Sequence, residues 1–246
     1  MSRSELPIWT RPEPSGRRPS LSRQRIAATG VRIVNEEGFD ALSMRRVAAA
    51  LNTGAMTLYN YVRTKDELLA LMHDELMAQI LVPDLPTHWR EALTVIARRT
   101  REVLIRHPWS MTALQEVQFG PNAMRHHEQA LAALADTWLD TTTKFELLAL
   151  VDDYVTGNVL RAAESRKRKD VDPASVAAVI EFGMAQLRTG EFPHTAALLG
   201  DNADLTTLPE DTPGPVLDDP GMAEQFERGL GALLDGADTR FGITRR

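Results

Sequence analysis

Residues 52–69 read NTGAMTLYNYVRTKDELL, and their reading decides the fold. Thr64 followed by Asp66 and Glu67 is a clean helix start, and Asn52 and Gly54 are residues that tolerate the left-handed backbone of a tight turn. Between those signals there is room only for a very short helix with little to bury. Leu58 and Val62, at i and i+4, can hold it to a core. Thr53, Thr57, Tyr59, Asn60 and Tyr61 are then left as hydrogen-bonding and apolar groups that face outward. Gly54 and Ala55 at its start leave room for another backbone to approach. Lys65 sits in the first turn of the next helix, where the helix dipole disfavours a cation but a phosphate would welcome one.

Upstream, Ile26, Ala27, Gly30, Val31, Ile33 and Val34 recur at helical spacing, and Gly38 supplies a stop. Ser43 is an N-cap for a second short helix with Val47, Ala48 and Leu51 on one face. Three short helices, the last two joined by a tight turn, fit the DNA-binding helix-turn-helix. The last must be short because one of its faces meets a groove rather than protein. A purely structural reading remains beside this one, in which Tyr59 packs on Leu42 and the motif touches no DNA.

Charge supports the DNA reading. The chain of 246 residues carries a net charge of −6. Residues 1–65 nevertheless hold 11 Lys and Arg against 5 Asp and Glu, and the remainder holds 17 against 29. A basic head on an acidic body is the asymmetry expected when one small domain meets phosphates. There is no cysteine, so disulfides and thiolate metal sites are excluded. No apolar run approaches the roughly 18 residues of a membrane span, and the N-terminus lacks a signal-peptide core, so a cytoplasmic location is expected.

The rest of the chain reads as all-α, with about ten helices in total. Residues 1–20, rich in Pro, Arg, Ser and Gly, are expected to form a flexible basic arm, in which Trp9 has no evident place. Residues 21–66 form the helix-turn-helix domain and 67–246 a larger helical domain. Leu68, Leu69, Met72, Leu76 and Ile80 form the apolar face of the helix after Thr64. Further helices are expected at about 87–106, 109–118, 121–136, 143–165 and 173–188, then a loop over 189–220 and a last helix on GMAEQFERGLGALLDG.

The segment LSMRRVAAALNTGAMTLYNYVRTKDELLALM resembles the DNA-binding region of the tetracycline-repressor (TetR) family. In that family a threonine–leucine–tyrosine recognition helix precedes a lysine, here Thr57, Leu58, Tyr59 and Lys65. The resemblance implies that Arg45 reads a base, and it departs at Asn52, where glycine is common. WREALTVIARRTREVLIRHPW, FGPNAMRHHEQALAAL, YVTGNVL and FERGLGALLDG resemble the family's C-terminal domain. That implies an Ω-shaped homodimer, closed by a bundle of the eighth and tenth helices, with an apolar pocket in each subunit. An ungapped match puts Ile96, Thr100 and Leu114 where the tetracycline repressor has drug and metal contacts, so a magnesium–tetracycline ligand is not expected. Candidate lining residues are Thr100, Met111, Leu114, Gln115, Gln118, Trp138, Tyr154 and Asn158.

No metal site is expected, since adjacent His126 and His127 should point to different faces of their helix, and Asp152 and Asp153 likewise. No nucleophile motif, phosphate loop or carboxylate constellation stands out, and no cofactor is implied. The expected partners are double-stranded operator DNA, a small, mainly apolar effector and a second copy of the chain. The expected function is a repressor released from its operator by that effector. The alternatives are a helix-turn-helix regulator controlled by a protein partner or by abundance, and an all-α enzyme with a coincidental motif, which would need convergent ionisable residues in a pocket.

Overall fold

A computed structural model describes residues 7–14, 21–113, 119–168, 172–199 and 220–244. Among them every regular element is helical: α1 Arg23–Glu37, α2 Met44–Ala50, α3 Ala55–Tyr59, α4 Lys65–Ile80, α5 Trp89–Arg106, α6 Ser110–Ala113, α7 Pro121–Ala132, α8 Thr141–Arg168, α9 Pro173–Arg188, α10 Pro193–Leu199 and α11 Pro220–Phe241.

Local chemistry sets the first four. The Ser22, Ser43 and Thr64 hydroxyls accept from the backbone N–H of Arg25, Arg46 and Glu67, three N-caps in succession. Gly38, at φ +87°, ends α1 while its N–H donates to the Val34 carbonyl. Asn52, at φ +51°, turns the chain from α2 towards α3. Gly54, by contrast, is extended at φ −73° and is the residue before α3, so the turn needs only one left-handed residue.

The buried face of α1 is Ile26, Ala27, Gly30, Val31, Ile33 and Val34. At Gly30 an added Cβ would lie 2.7 Å from Met72 Sδ, so glycine lets α1 and α4 cross closely. The core of α1–α3 (Ile33, Leu42, Val47, Leu58, Val62) continues without a break into Leu68, Met72, Leu76 and Ile80 of α4 and Val103 of α5. Burying each such side chain contributes about 1.5–3 kcal/mol.

Residues 7–14 are not a free arm. Ile8 is fully buried in that same core, and Trp9 packs against it. The Arg11 guanidinium pairs with Glu67 at 2.5 Å, and Arg23 Nη1 donates to the carbonyls of Ile8 and Arg11. Tryptophan and isoleucine amid prolines offered no period to read, so only the tertiary contact reveals the docking. The rest of the expected arm, 1–6 and 15–20, lies outside the described residues.

The chain divides into two compact units, Met1–Leu160 with Leu230–Arg246, and Arg161–Gly229. In the first, α4 packs against α1, α5 and α7. Helix α5 buries the stripe Trp89, Ala92, Leu93, Ile96, Ala97, Thr100 and Val103. Arg90 ties it to the middle of α11, donating to the Gly231 carbonyl and pairing with Asp235. Helix α8 turns Leu147, Val151, Val155 and Val159 inward. In the second unit Asp172 caps α9 by accepting from the Ser175 N–H, and α9 packs on α10.

Three expected boundaries are corrected. Helix α7 ends at Ala132 in a turn, α8 runs longer at both ends, and α10 occupies part of the expected loop at 189–220. Proline and glycine around PHTAALLG suggest loop, but Pro193 at a first helical position starts a helix instead. Residues 200–219 of that loop, and 114–118 of the expected helix at 109–118, lie outside the described residues.

Candidate nucleic-acid interface and interior cavity

Helix α3 is five residues long and stands on Leu58, which is fully buried, as is Val62 just beyond it. Thr57, Tyr59 and Asn60 face solvent, with Gly54 exposed and Thr53 and Ala55 half-buried at the start. Tyr61 is the correction: it is 6% exposed and belongs to the core. It lies three residues after Leu58, hence on the same side, and its N–H donates to the Leu58 carbonyl at 2.9 Å. Met56, 79% exposed, was missed. Its position, two before Leu58 and so on the opposite face, carried the signal.

The flanking cations differ. Arg45 is exposed, while its neighbour Arg46 pairs through Nε with Glu37 at 2.9 Å and so is already engaged. Lys65 is exposed, with its ammonium 4.9 Å from the Phe39 ring centroid. That cation–π contact holds the side chain without neutralising it.

On the far side of α4 lies a cavity of about 420 Å³, walled by α4, α5, α7 and α8. Met77, Leu93, Ile96, Ala97, Val151 and Val155 make it apolar. Phe119, His127 and Phe145 form an aromatic cluster on its wall: His127 stacks on Phe145 at 5.8 Å, and Phe119 meets His127 edge-on at 6.3 Å. His73, Thr100, His126 and Asp152 supply polar groups. Burial holds the His73 imidazole below its ordinary pKa despite Asp74 beside it. Burial, then His127, does the same to His126.

Of the candidate lining residues, Thr100 is in the wall, buried on α5. Met111, Trp138, Tyr154 and Asn158 are not among the residues that line this cavity. Trp138 is 54% exposed, at the loop before α8. Asn158 is buried but its amide oxygen accepts from Arg101 Nε at 2.7 Å. Tyr154 is half-buried on a different face of α8 from Phe145, Leu148 and Asp152. Leu114, Gln115 and Gln118 lie outside the described residues. The helical stripes Ala123–His126–His127–Ala130 and Phe145–Leu148–Ala149–Asp152 were the signals for the true wall. His126 and His127 both reach the cavity, because a wall this wide spans adjacent positions of one helix. Among the described residues no three His, Asp or Glu side chains gather as a metal site.

One residue joins the two sides. Asp74, buried on α4 next to His73, accepts from the backbone N–H of Asn122 and Ala123 at 2.8 and 3.1 Å and from the Asn122 amide at 2.9 Å. A carboxylate from another helix thus caps α7 where its dipole is positive. Gly120 permits the approach, since an added Cβ would collide with Asp74 and Trp9. At the other end of α7, Gln129 exchanges two hydrogen bonds with the backbone of Val82.

Residues 82–241 match the model for the tetracyclin repressor-like C-terminal domain, and 26–72 that for bacterial regulatory proteins of the tetR family. The chain belongs to the tetR family and is a DNA-binding transcriptional regulator rather than an enzyme. It is 35% identical over 236 residues to the HTH-type transcriptional repressor DrrR1 of Streptomyces coeruleorubidus, covering 91% of this chain and 79% of that one. A Saccharopolyspora erythraea HTH-type transcriptional regulator is 32% identical over 192 residues, covering 77% and 80%. The crystal structure of Streptomyces coelicolor ActR in complex with actinorhodin superposes with a TM-score of 0.67 at 29% identity, covering 89% of this chain and 96% of ActR. No helix among the described residues is long and apolar enough to cross a membrane.

Proposed function

We propose that the chain is a repressor that leaves its operator when a small, mainly apolar molecule fills the cavity. What supports this is the double duty of α4. It seats α1 of the DNA-reading head on one face, and on the other its His73 and Met77 wall the cavity while Asp74 grips α7. A ligand that shifts α7 must shift α4 or break that cap. ActR, with its bound actinorhodin, offers a relative in which a ligand is held by a similar chain.

Residues 21–66 serve as the DNA-binding domain and 67–246 as the ligand-binding and dimerising one. Arg45, Thr53, Gly54, Ala55, Thr57, Tyr59, Asn60 and Lys65, with Met56 added and Tyr61 removed, are the groups that meet phosphates and base edges. Two copies place two such helices on successive major grooves. The exposed Leu150 and Leu160 of α8 favour that helix as part of the dimer contact.

Coupling of this kind is reciprocal. With an operator duplex selected from random DNA, 9-anthracenemethanol should weaken operator affinity, and operator should weaken the probe's binding by the same factor. Equal probe affinity with and without operator overturns the reading and favours control by a protein partner or by abundance.

A further inference from the structure

The cavity wall is unbalanced in charge. Among the described residues that line it, Asp152 is the one carboxylate, and there is no lysine or arginine. Apolar surroundings, then Asp153, push the Asp152 carboxyl above its ordinary pKa, and no cation offsets them. The wall's other ionisable groups, on α4 and α7, are His73, His126 and His127. Burial keeps His73 and His126 uncharged at neutral pH, so they do not balance the carboxylate.

Two further features describe the molecule that fits. Asp152 is still open to solvent, one helical turn beyond Leu148 and two beyond Phe145 on α8. Phe119 and Phe145, both exposed, present aromatic faces and edges on the same wall, with His127 between them.

We propose that the cavity selects flat aromatic molecules bearing a protonated amine, which Asp152 receives, and discriminates against carboxylates. The ring system lies against the Phe119–His127–Phe145 cluster, and its cationic group gains from both the carboxylate and the aromatic faces. This rests on the reading of the cavity as the effector site, and it specifies the chemistry of that effector.

Three probes with one ring system test it on the full chain: 9-(aminomethyl)anthracene, 9-anthracenemethanol and 9-anthracenecarboxylate, followed by anthracene fluorescence at pH 7.5. The amine should bind about tenfold or more tighter than the carboxylate, with the alcohol between them. Asp152→Asn should bring the amine down to the level of the alcohol, and Asp152→Glu should restore the preference. A carboxylate that binds as tightly as the amine, a ranking untouched by Asp152→Asn, or no binding of any probe overturns the proposal. Each probe is also added to the operator complex. The expected ranking without operator release would overturn the effector reading and leave the ligand class standing; release without the ranking would do the reverse.

Discussion

The outward face of α3 and the wall of the cavity both present hydrogen-bonding groups beside apolar ones, yet they hold them in opposite states. Thr57, Tyr59 and Asn60 stand in water, where an unmade protein contact costs little. The imidazoles of His73 and His126 sit in the cavity wall, where burial holds both below the ordinary histidine pKa. Both regions have α4 as a neighbour: its Leu68, Met72 and Leu76 belong to the core that holds Leu58, and its His73 and Met77 line the cavity.

The strongest way to break this contrast is to remove what holds each side. Leu58→Ala should cost about 2–5 kcal/mol in urea unfolding, because α3 has almost nothing else to stand on. A smaller loss would mean that Tyr61 and Val62 carry the helix by themselves. Asp74→Ala should cost about 2–3 kcal/mol, since it removes the carboxylate that accepts from the Asn122 and Ala123 N–H groups at the start of α7 and from the Asn122 amide. It should also lessen the reciprocal effect of probe and operator. Full coupling in the folded variant would show that the message travels elsewhere than through this cap.

The outward face is tested without touching stability. Tyr59→Ala should weaken operator binding by about 1–3 kcal/mol at an unchanged Tm, while Lys65→Ala should weaken binding to all DNA and lower the salt slope by about 1. Unchanged DNA binding in both would remove α3 and the start of α4 from the interface. The smallest effect concerns the imidazoles. Native His73 and His126 titrate below the unfolded value of 6.5, so the unfolded chain takes up protons first and stability is lost as the pH falls through that value. The Tm difference between pH 7.5 and 5.5 should shrink in His126→Phe. An equal or larger difference would mean that His126 is not held uncharged by burial.

The two regions were not equally legible. Ser43 and Thr64 as caps, Gly38 and Asn52 as turns, and the apolar stripes of α1 and α4 could all be read from the chain. Each depends on neighbours within one or two helical turns. Tyr61 was misplaced because the same count that turned Leu58 inward also turned the residue three positions later, and the phenol's polarity drew it outward. Of the candidate lining residues that are described, Thr100 is the one in the cavity wall. The stripes on α7 and α8 were present, but nothing local says which stripe meets a void and which meets a helix.

The sequence by itself determined an all-α chain with a basic head, a very short helix raised on Leu58, and caps and breaks among its first helices. These follow from backbone hydrogen bonding and periodicity, which act over a few residues. The tertiary structure alone decided that Ile8 and Trp9 dock on the head, that Asp74 caps a helix 48 positions further on, and that histidines from α4 and α7 share a cavity with a carboxylate from α8. Those depend on which helices lie side by side, and that is settled by the packing of the whole apolar core.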